Sequence, residues 1–238
     1  MLIIEQKPHE SIREYVYRFL KLNIIDLNLP PGQSISEQDV ATQLNVSRTP
    51  VREAFIMLAQ ENLLDIIPQK GTYVSLIDIA QVEESKFARE TLEKQVIQQA
   101  CVAFPHEDLF ELQSCYALQE LCISSKNYHK FFELDERMHG LIFKGCNKSR
   151  TWNMLQLMNA HYNRVRILNL KVNEFEWDQL IVQHKELVRA ISEKDVNLGK
   201  KTINLHLNKV VMDLERLREE QGHYFLPLKQ QTFTMTQK

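Results

Sequence analysis

The residues of this chain best suited to bind a metal are one carboxylate and three histidines in its second half. Asp135 and His139 are four residues apart in the segment FELDERMHGLIF, so a helix would project both side chains from one face. His184 and His206 lie in two later segments of helical character. Three imidazoles and one carboxylate suit zinc, nickel or manganese, with coordination positions left for a carboxylate ligand or water. Spacing alone leaves open that these histidines are surface groups or hydrogen-bonded core groups.

A second set of candidate residues lies in the segment NVSRTPVREAF near the N-terminus. Arg48 and Arg52 are four residues apart in it, and a helix would place them, with Thr49, beside its apolar face and toward solvent. Arginines exposed on the second helix of a helix-turn-helix can contact guanine edges and phosphates. The alternative is an ordinary solvated face, on which Arg52 pairs with a nearby glutamate.

The composition excludes several classes of protein. Apolar residues make up 44% and charged residues 25% of the 238 positions, as in ordinary globular proteins, and six glycines favour long helices over tight turns. No apolar run reaches the roughly 20 residues of a membrane span, and the opening MLIIEQKPHES is charged too early for a signal peptide. We therefore expect a cytoplasmic protein without membrane contact. A net charge of −2 means that any contact with nucleic acid depends on locally placed charge.

The first part of the chain predicts a small helix-turn-helix with a hairpin. Helical spacing of apolar residues over 8–27 ends at LPPG, and Ser36 and Ser47 are candidate N-caps of two short helices with a tight connection between them. Two β-rich runs then flank the turn PQKG at residues 68–71, as in a β-hairpin.

The rest of the chain predicts a bundle of long helices. Amphipathic segments with short connections cover residues 79–104, 106–125, 128–146, 151–170, 175–193 and 196–221. The predicted fold class is therefore mainly all-α, with an N-terminal winged helix-turn-helix that carries a small β-hairpin wing and a C-terminal antiparallel α-helical bundle. We place the two domains at residues 1–77 and 78–222, and we expect the polar tail at 223–238 to be loosely held.

The sequence ISEQDVATQLNVSRTPVREAFIMLAQENLLDIIPQKGTYV at residues 35–74 resembles the winged helix-turn-helix of the GntR family of bacterial transcription regulators. The LPPG turn before it, VSRTPVREAF on the recognition helix and KGTYV on the wing carry the resemblance. Gln38 departs from the basic residue of many relatives, and we assign a compensating contact to Lys70 beside the wing. The DNA-contacting residues that the resemblance implies are Ser47, Arg48, Thr49, Arg52, Lys70 and Gly71.

Residues 79–221 resemble the FCD effector domain of the FadR branch of that family. Asp135, His139, His184 at the start of H-x-x-L-x-x-A-I, and His206 match the metal-binding version of the domain. The resemblance implies a divalent metal ion that helps to hold a small organic acid inside the bundle.

The same resemblance points to arginines for the acid. Arg89 matches an arginine that lines the effector cavity, where its guanidinium would bind a carboxylate through two hydrogen bonds; the alternative is a salt bridge with Glu93. Arg164 and Arg166 lie on the helix expected to cover the site. Spacing does not distinguish between these two, and Arg164 is the effector-binding candidate that we carry forward. His161 we leave out of the ligand set.

The function implied is a ligand-responsive DNA-binding regulator, with repression as the expected sign, that binds a palindromic operator as a homodimer. The alternative is a metal-dependent enzyme that uses the same aspartate and histidines. It lacks a general base, because no glutamate adjoins the histidines in an H-E-x-x-H arrangement. A third hypothesis is metal sensing, in which the cation itself is the signal.

Overall fold

The computed structural model describes residues 1–172, 177–212 and 214–227. Its small antiparallel sheet consists of β1 (Ser34–Ile35), β2 (Leu64–Ile67) and β3 (Gly71–Val74), in the order β1-β3-β2. The helices are α1 (Ile12–Ile25), α2 (Glu37–Leu44), α3 (Arg48–Gln60), α4 (Ile79–Val102), α5 (His106–Ser124), α6 (Tyr128–Gly145), α7 (Ser149–Met158), α8 (Ala160–Val172), α9 (Trp177–Ser192), α10 (Val196–Met212) and α11 (Leu214–Glu220). The predicted fold class is confirmed.

The helix-turn-helix forms through local signals. The Ser36 hydroxyl accepts a hydrogen bond from the Asp39 amide at 3.0 Å and caps α2, which ends at Asn45 in the left-handed conformation (φ 53°). Ser47 occupies the N-cap position of α3, but its side chain makes no capping hydrogen bond. The hairpin of β2 and β3 was predicted, whereas the pairing of β1 with β3 was missed because two residues are too few for a strand pattern.

The apolar face predicted for α3 is buried and joins a larger core. Val51, Ala54, Phe55 and Leu58 are at most 1% exposed. Their cluster continues past the wing into α8, through side chains such as Val165. The N-terminal region is therefore packed directly on one helix of the bundle.

Two of the predicted bundle helices differ in their bounds from the helices of the structure. The helix predicted over 151–170 is interrupted at Asn159. At the break, the Ser85 hydroxyl donates to the carbonyl of Met158 at 2.7 Å. Sequence periodicity does not reveal such a contact from another helix. Phe175, the predicted start of the next helix, lies outside the described residues, and α9 begins at Trp177 within them. Within the described ranges, no helix has both the length and the apolarity that a bilayer crossing demands.

The expectation of a loosely held tail is wrong for its first residues. Phe225 is 5% exposed and forms a parallel bridge with Ile77, the residue that leads into α4. The Ile77 amide donates to the carbonyl of Tyr224 at 2.8 Å, and the Leu226 amide donates to the carbonyl of Ile77 at 2.9 Å. The sequence of one segment does not show which distant segment its backbone pairs with. The rest of the predicted tail, 228–238, lies outside the described residues.

A candidate metal and effector site, and a candidate DNA-binding surface

The N-terminal end of α3 presents its polar residues to solvent. Ser47, Arg48, Thr49 and Arg52 are all exposed. The alternative of an Arg52–glutamate pair is not observed among the described residues; the ion pair at this surface joins Arg48 Nη2 to Glu37 Oε2 at 3.3 Å. An exposed pair of this kind is easily exchanged for another anion.

The tip of the wing holds the other two DNA-binding candidates. Lys70 is exposed, and its carbonyl accepts a hydrogen bond from the Tyr73 hydroxyl at 3.2 Å. Gly71 has a φ of 128°, a conformation that strains any residue with a Cβ, although a Cβ there would meet only Tyr73 at 3.8 Å. Backbone conformation, and not lack of space, therefore accounts for a glycine at the tip.

The four predicted metal ligands meet in the centre of the bundle. Asp135 and His139 come from α6, His184 from α9 and His206 from α10, and each is at most 5% exposed. One ligand atom from each residue lies within 4.8 Å of the others. The Nε2 atoms of His139 and His206 are 3.1 Å apart, and the Nε2 atom of His184 is 3.1 Å from Asp135 Oδ1. The alternative of scattered surface histidines is therefore excluded for these three.

Outer oxygen atoms orient all three imidazoles. Each ring directs its Nδ1 atom to a side-chain oxygen, an arrangement that turns the Nε2 lone pair inward and is typical of metal-ligating histidines. Sequence patterns do not reveal these partners, because each lies on a different helix from its histidine, up to 65 residues away. The Nδ1 partners are Glu93 Oε2 for His139 at 2.6 Å, Gln119 Oε1 for His184 at 2.5 Å and Gln183 Oε1 for His206 at 3.1 Å.

The electrostatics of the cluster fit a cation. Burial lowers the pKa of His184, and burial together with the neighbouring imidazoles lowers the pKa of His206. Burial alone would raise the pKa of Asp135, but Arg166 and the histidines hold it well below its usual range. Arg166 already pairs with Asp135, but the inward-facing Nε2 lone pairs of His139 and His206, 3.1 Å apart, repel each other and would be stabilised by a cation between them. The donor set thus matches the borderline divalent ions that bind nitrogen and oxygen.

A cavity of about 40 Å³ adjoins the cluster, with a charged end and an apolar wall. Arg89, 1% exposed, lies at the charged end. Its Nε atom donates to Glu93 Oε1 at 2.6 Å and its Nη1 atom to Glu136 Oε1 at 3.0 Å, whereas its buried Nη2 atom has no partner within the described residues. Arg89 therefore pairs with Glu93 and also lines this cavity, and its role in binding an acid stays a prediction. The apolar wall consists of Phe131, Phe132, Leu170, Leu180 and Leu207.

The choice of Arg164 as the cavity arginine needs correction. Its guanidinium donates to the Ser75 carbonyl at 2.6 Å and to the Ser75 hydroxyl at 3.2 Å, at the junction between the wing and α4. Arg166 lines the cavity instead and forms ion pairs with Asp135 and Glu136. Two positions along a helix correspond to a rotation of about 200°, so the two arginines project from opposite sides of α8.

His161 also belongs to the junction and not to the metal cluster. Its Nδ1 atom accepts from the Asp78 amide at 2.9 Å, and its Nε2 atom lies 3.1 Å from the carbonyl of Asn62. Burial, reinforced by the charge of Arg164, lowers the pKa of His161 to about 3. The ring is therefore neutral at pH 7 and donates from Nε2.

Comparison with known proteins agrees with this architecture. Residues 85–209 match the FCD domain, and residues 12–74 match the bacterial regulatory proteins of the gntR family. The HTH-type transcriptional repressor RspR of Escherichia coli (strain K12) is 30% identical over 92% of this chain and 95% of its own length. An uncharacterized HTH-type transcriptional regulator in an unstable DNA locus of Streptomyces ambofaciens is 32% identical over 90% of this chain and 89% of its own length.

Among solved structures, E. coli McbR/YncC has a TM-score of 0.76 at 21% identity and covers 87% of this chain and 98% of its own length, which shows a shared fold. The relatives are transcriptional regulators, so the enzyme alternative is not supported. The chain belongs to the GntR family of bacterial transcription regulators and carries an FCD effector domain.

Proposed function

We propose that the protein is a repressor whose affinity for operator DNA is set by a metal-bound small organic acid in the bundle. In this proposal residues 1–77 bind DNA, residues 78–222 bind the metal and the acid, and residues 223–238 form the tail. The observation that carries it is the inward orientation of three Nε2 atoms and Asp135 beside a cavity lined by Arg89, whose buried Nη2 atom has no hydrogen-bond partner within the described residues.

The DNA-binding half of the proposal rests on exposure. The exposed end of α3 inserts into the major groove, where Arg48 and Arg52 contact bases and phosphates, and Lys70 and Gly71 at the wing tip lie along the minor groove. Two copies in a homodimer read the two halves of a palindromic operator in the cytoplasm. The relative RspR is a transcriptional repressor, which supports repression as the direction of regulation.

The effector half rests on the donor set. Asp135, His139, His184 and His206 hold a divalent ion, which supplies positive charge and open coordination positions for the acid. The Nη2 atom of Arg89 donates to the carboxylate of the acid. The ion is a resident cofactor in this proposal, because its ligands share a cavity with groups that suit a carboxylate.

Coupling between the halves runs through α8. One side of this helix contributes Arg166 to the cavity, and the other side contributes His161 and Arg164 to the junction with the N-terminal region. An acid that engages Arg166 competes with Asp135 and Glu136 for its guanidinium and so changes how α8 is held. DNA release follows if the two placements of α8 differ in their affinity for DNA.

The test combines metal analysis with thermal unfolding of protein purified without a nickel column. We expect close to one divalent ion per chain and a melting temperature that rises with at least one small organic acid, an increase that a chelator abolishes. Metal-free protein whose melting temperature no acid raises would contradict the proposal. Turnover of the acid would favour the enzyme alternative, and a response of DNA binding to metal alone would favour metal sensing.

A further inference from the structure

Glu136 neutralises the positive charge that the two cavity arginines supply. Its Oε1 atom accepts from Arg89 Nη1 at 3.0 Å and also from Arg166 Nη1, and its Oε2 atom accepts from Gln156 Nε2 at 2.9 Å. Glu136 is not among the side chains that line the described cavity. It therefore acts on a ligand through the arginines and not by direct contact.

The charges of the connected ion pairs can be counted. Two arginines, Arg89 and Arg166, are paired with three carboxylates, Glu93, Asp135 and Glu136, so the network carries one net negative charge. A divalent ion converts this to one net positive charge. A single carboxylate then makes the buried network neutral, whereas a second one leaves an uncompensated negative charge in a place with little water.

Beyond the charged end, nothing buried in the described part of the cavity offers a second cation. The wall there is formed by aromatic and aliphatic side chains such as Phe131 and Leu180. Lys209 also lines the cavity, and its ammonium group donates to Gln179 Oε1 at 2.7 Å in an exposed hydrogen bond. Water screens a charge in that position, so it compensates a buried carboxylate only weakly.

We infer that the effector is a small monocarboxylate with an uncharged body, and that Glu136 sets the preference against dicarboxylates. This inference rests on the proposed metal and acid site. The cavity volume of about 40 Å³ corresponds to about three water-sized spheres. It accommodates a carboxylate head, with the uncharged body along the apolar wall.

The first test uses the metal-loaded full-length protein and two matched pairs of acids: propionate with malonate, and butyrate with succinate. We expect calorimetric titration to give each monocarboxylate an affinity at least about tenfold above that of its dicarboxylate partner. Metal content is measured after each titration, because dicarboxylates chelate free metal. Wild-type protein that binds succinate as tightly as butyrate would overturn the inference and leave the proposed function standing. Failure of all four acids to bind would also overturn the inference, whereas the proposed function would be contradicted only by metal-free protein that no acid stabilises.

The second test changes the charge of the network. Glu136→Gln keeps an oxygen that accepts from both guanidinium groups and removes one negative charge, so the ratio of succinate affinity to butyrate affinity rises by at least about tenfold. Glu133→Gln is the matched control on α6, since Glu133 is exposed and pairs with Lys130; it leaves the ratio unchanged. An unchanged ratio in folded Glu136→Gln would show that this residue does not set the preference. If that variant does not fold, the wild-type comparison decides.

Discussion

The arginines of α3 and those of the bundle carry the same charge in opposite surroundings. Arg48 has a side chain that is 64% exposed, and among the described residues it forms one ion pair, with Glu37 at 3.3 Å. Arg89 is 1% exposed and bonded to Glu93 and Glu136. An exposed pair contributes roughly 0–1 kcal/mol, so Arg48 can exchange its partner for a DNA phosphate at almost no loss.

A buried pair behaves differently, because removing one partner leaves an uncompensated charge away from water. The contacts of Arg89 and Arg166 therefore change only when another anion replaces them. The candidate DNA-binding surface is accessible to solvent in this structure, whereas under the proposed function the bundle site responds to a ligand of matching charge. The expected effects of substitutions follow this difference.

The largest effect is expected when one of the buried candidate metal ligands is removed. His184→Ala removes a ligand nitrogen at a position that is 0% exposed, and it should weaken metal binding by more than about 100-fold, since loss of an outer partner alone weakens it by 10- to 100-fold. Titration with a competing chelator measures the affinity. His106→Ala, at the exposed start of α5, is the control and should bind as the wild type does. Full metal occupancy in His184→Ala would contradict the assignment of this ligand.

Arg52→Ala tests the exposed arginines of α3. Loss of a base and phosphate contact should weaken specific DNA binding by about 1–3 kcal/mol and leave the metal content unchanged, because Arg52 is exposed on α3 and is not one of the four candidate metal ligands. Fluorescence anisotropy at fixed salt, with a duplex selected from a random library, gives the affinity. Arg137→Ala, exposed on α6, controls for loss of general positive charge. Equal affinity of Arg52→Ala and wild type for the selected duplex would show that α3 is not the recognition helix.

The same contrast explains what could be predicted from the sequence. The exposure of Arg48 and Arg52 depends on the periodicity of one helix, so local reasoning was sufficient. The four buried ligand residues followed from their types and from the family resemblance. The distinction between Arg164 and Arg166 depends on how α8 is rotated against its neighbours, which no spacing records.

Contacts between distant segments were missed for a related reason. Gln119 orients His184 across 65 residues of chain, and it sits in a helix whose sequence gives no hint of a metal. Phe225 pairs through its backbone with Ile77, and no local pattern in either segment identifies the other as its partner. Such partners are fixed by tertiary packing, and sequence patterns describe single elements.

An intermediate effect is expected for the orientation of one ligand. Gln119→Leu removes the oxygen that holds His184 Nδ1 at 2.5 Å, so the ring is no longer fixed in one tautomer and metal affinity should fall by about 10- to 100-fold. Gln113→Leu, exposed on the same helix, is the matched control. In chelator competition the wild type should bind the metal most tightly, Gln119→Leu less tightly and His184→Ala least tightly. If Gln119→Leu bound the metal as tightly as wild type, the oxygen of Gln119 would have no role in orienting His184 for metal binding.

The remaining prediction concerns folding stability, not binding affinity, at the junction between the two regions. The pKa of His161 is about 3 in the folded chain and 6.5 in its ordinary state, so between these values the unfolded chain binds a proton that the native chain does not. Its contribution to stability is complete above pH 6.5 and decreases as the pH falls, by up to about 1.4 kcal/mol per pH unit. His161→Gln removes this contribution, so urea unfolding from pH 7 to pH 4 should give a shallower dependence of the unfolding free energy on pH. A slope identical to that of wild type would contradict the buried neutral state of His161.

The affinity of the full-length protein for its selected duplex, with and without butyrate and before and after removal of metal by a chelator, tests the central claim most directly. We predict that butyrate weakens DNA binding of the metal-loaded protein by about 5- to 150-fold, that DNA weakens butyrate binding by the same factor, and that neither effect survives chelation. DNA affinity that is the same in all four conditions, in a protein shown to bind both butyrate and metal, would contradict the account.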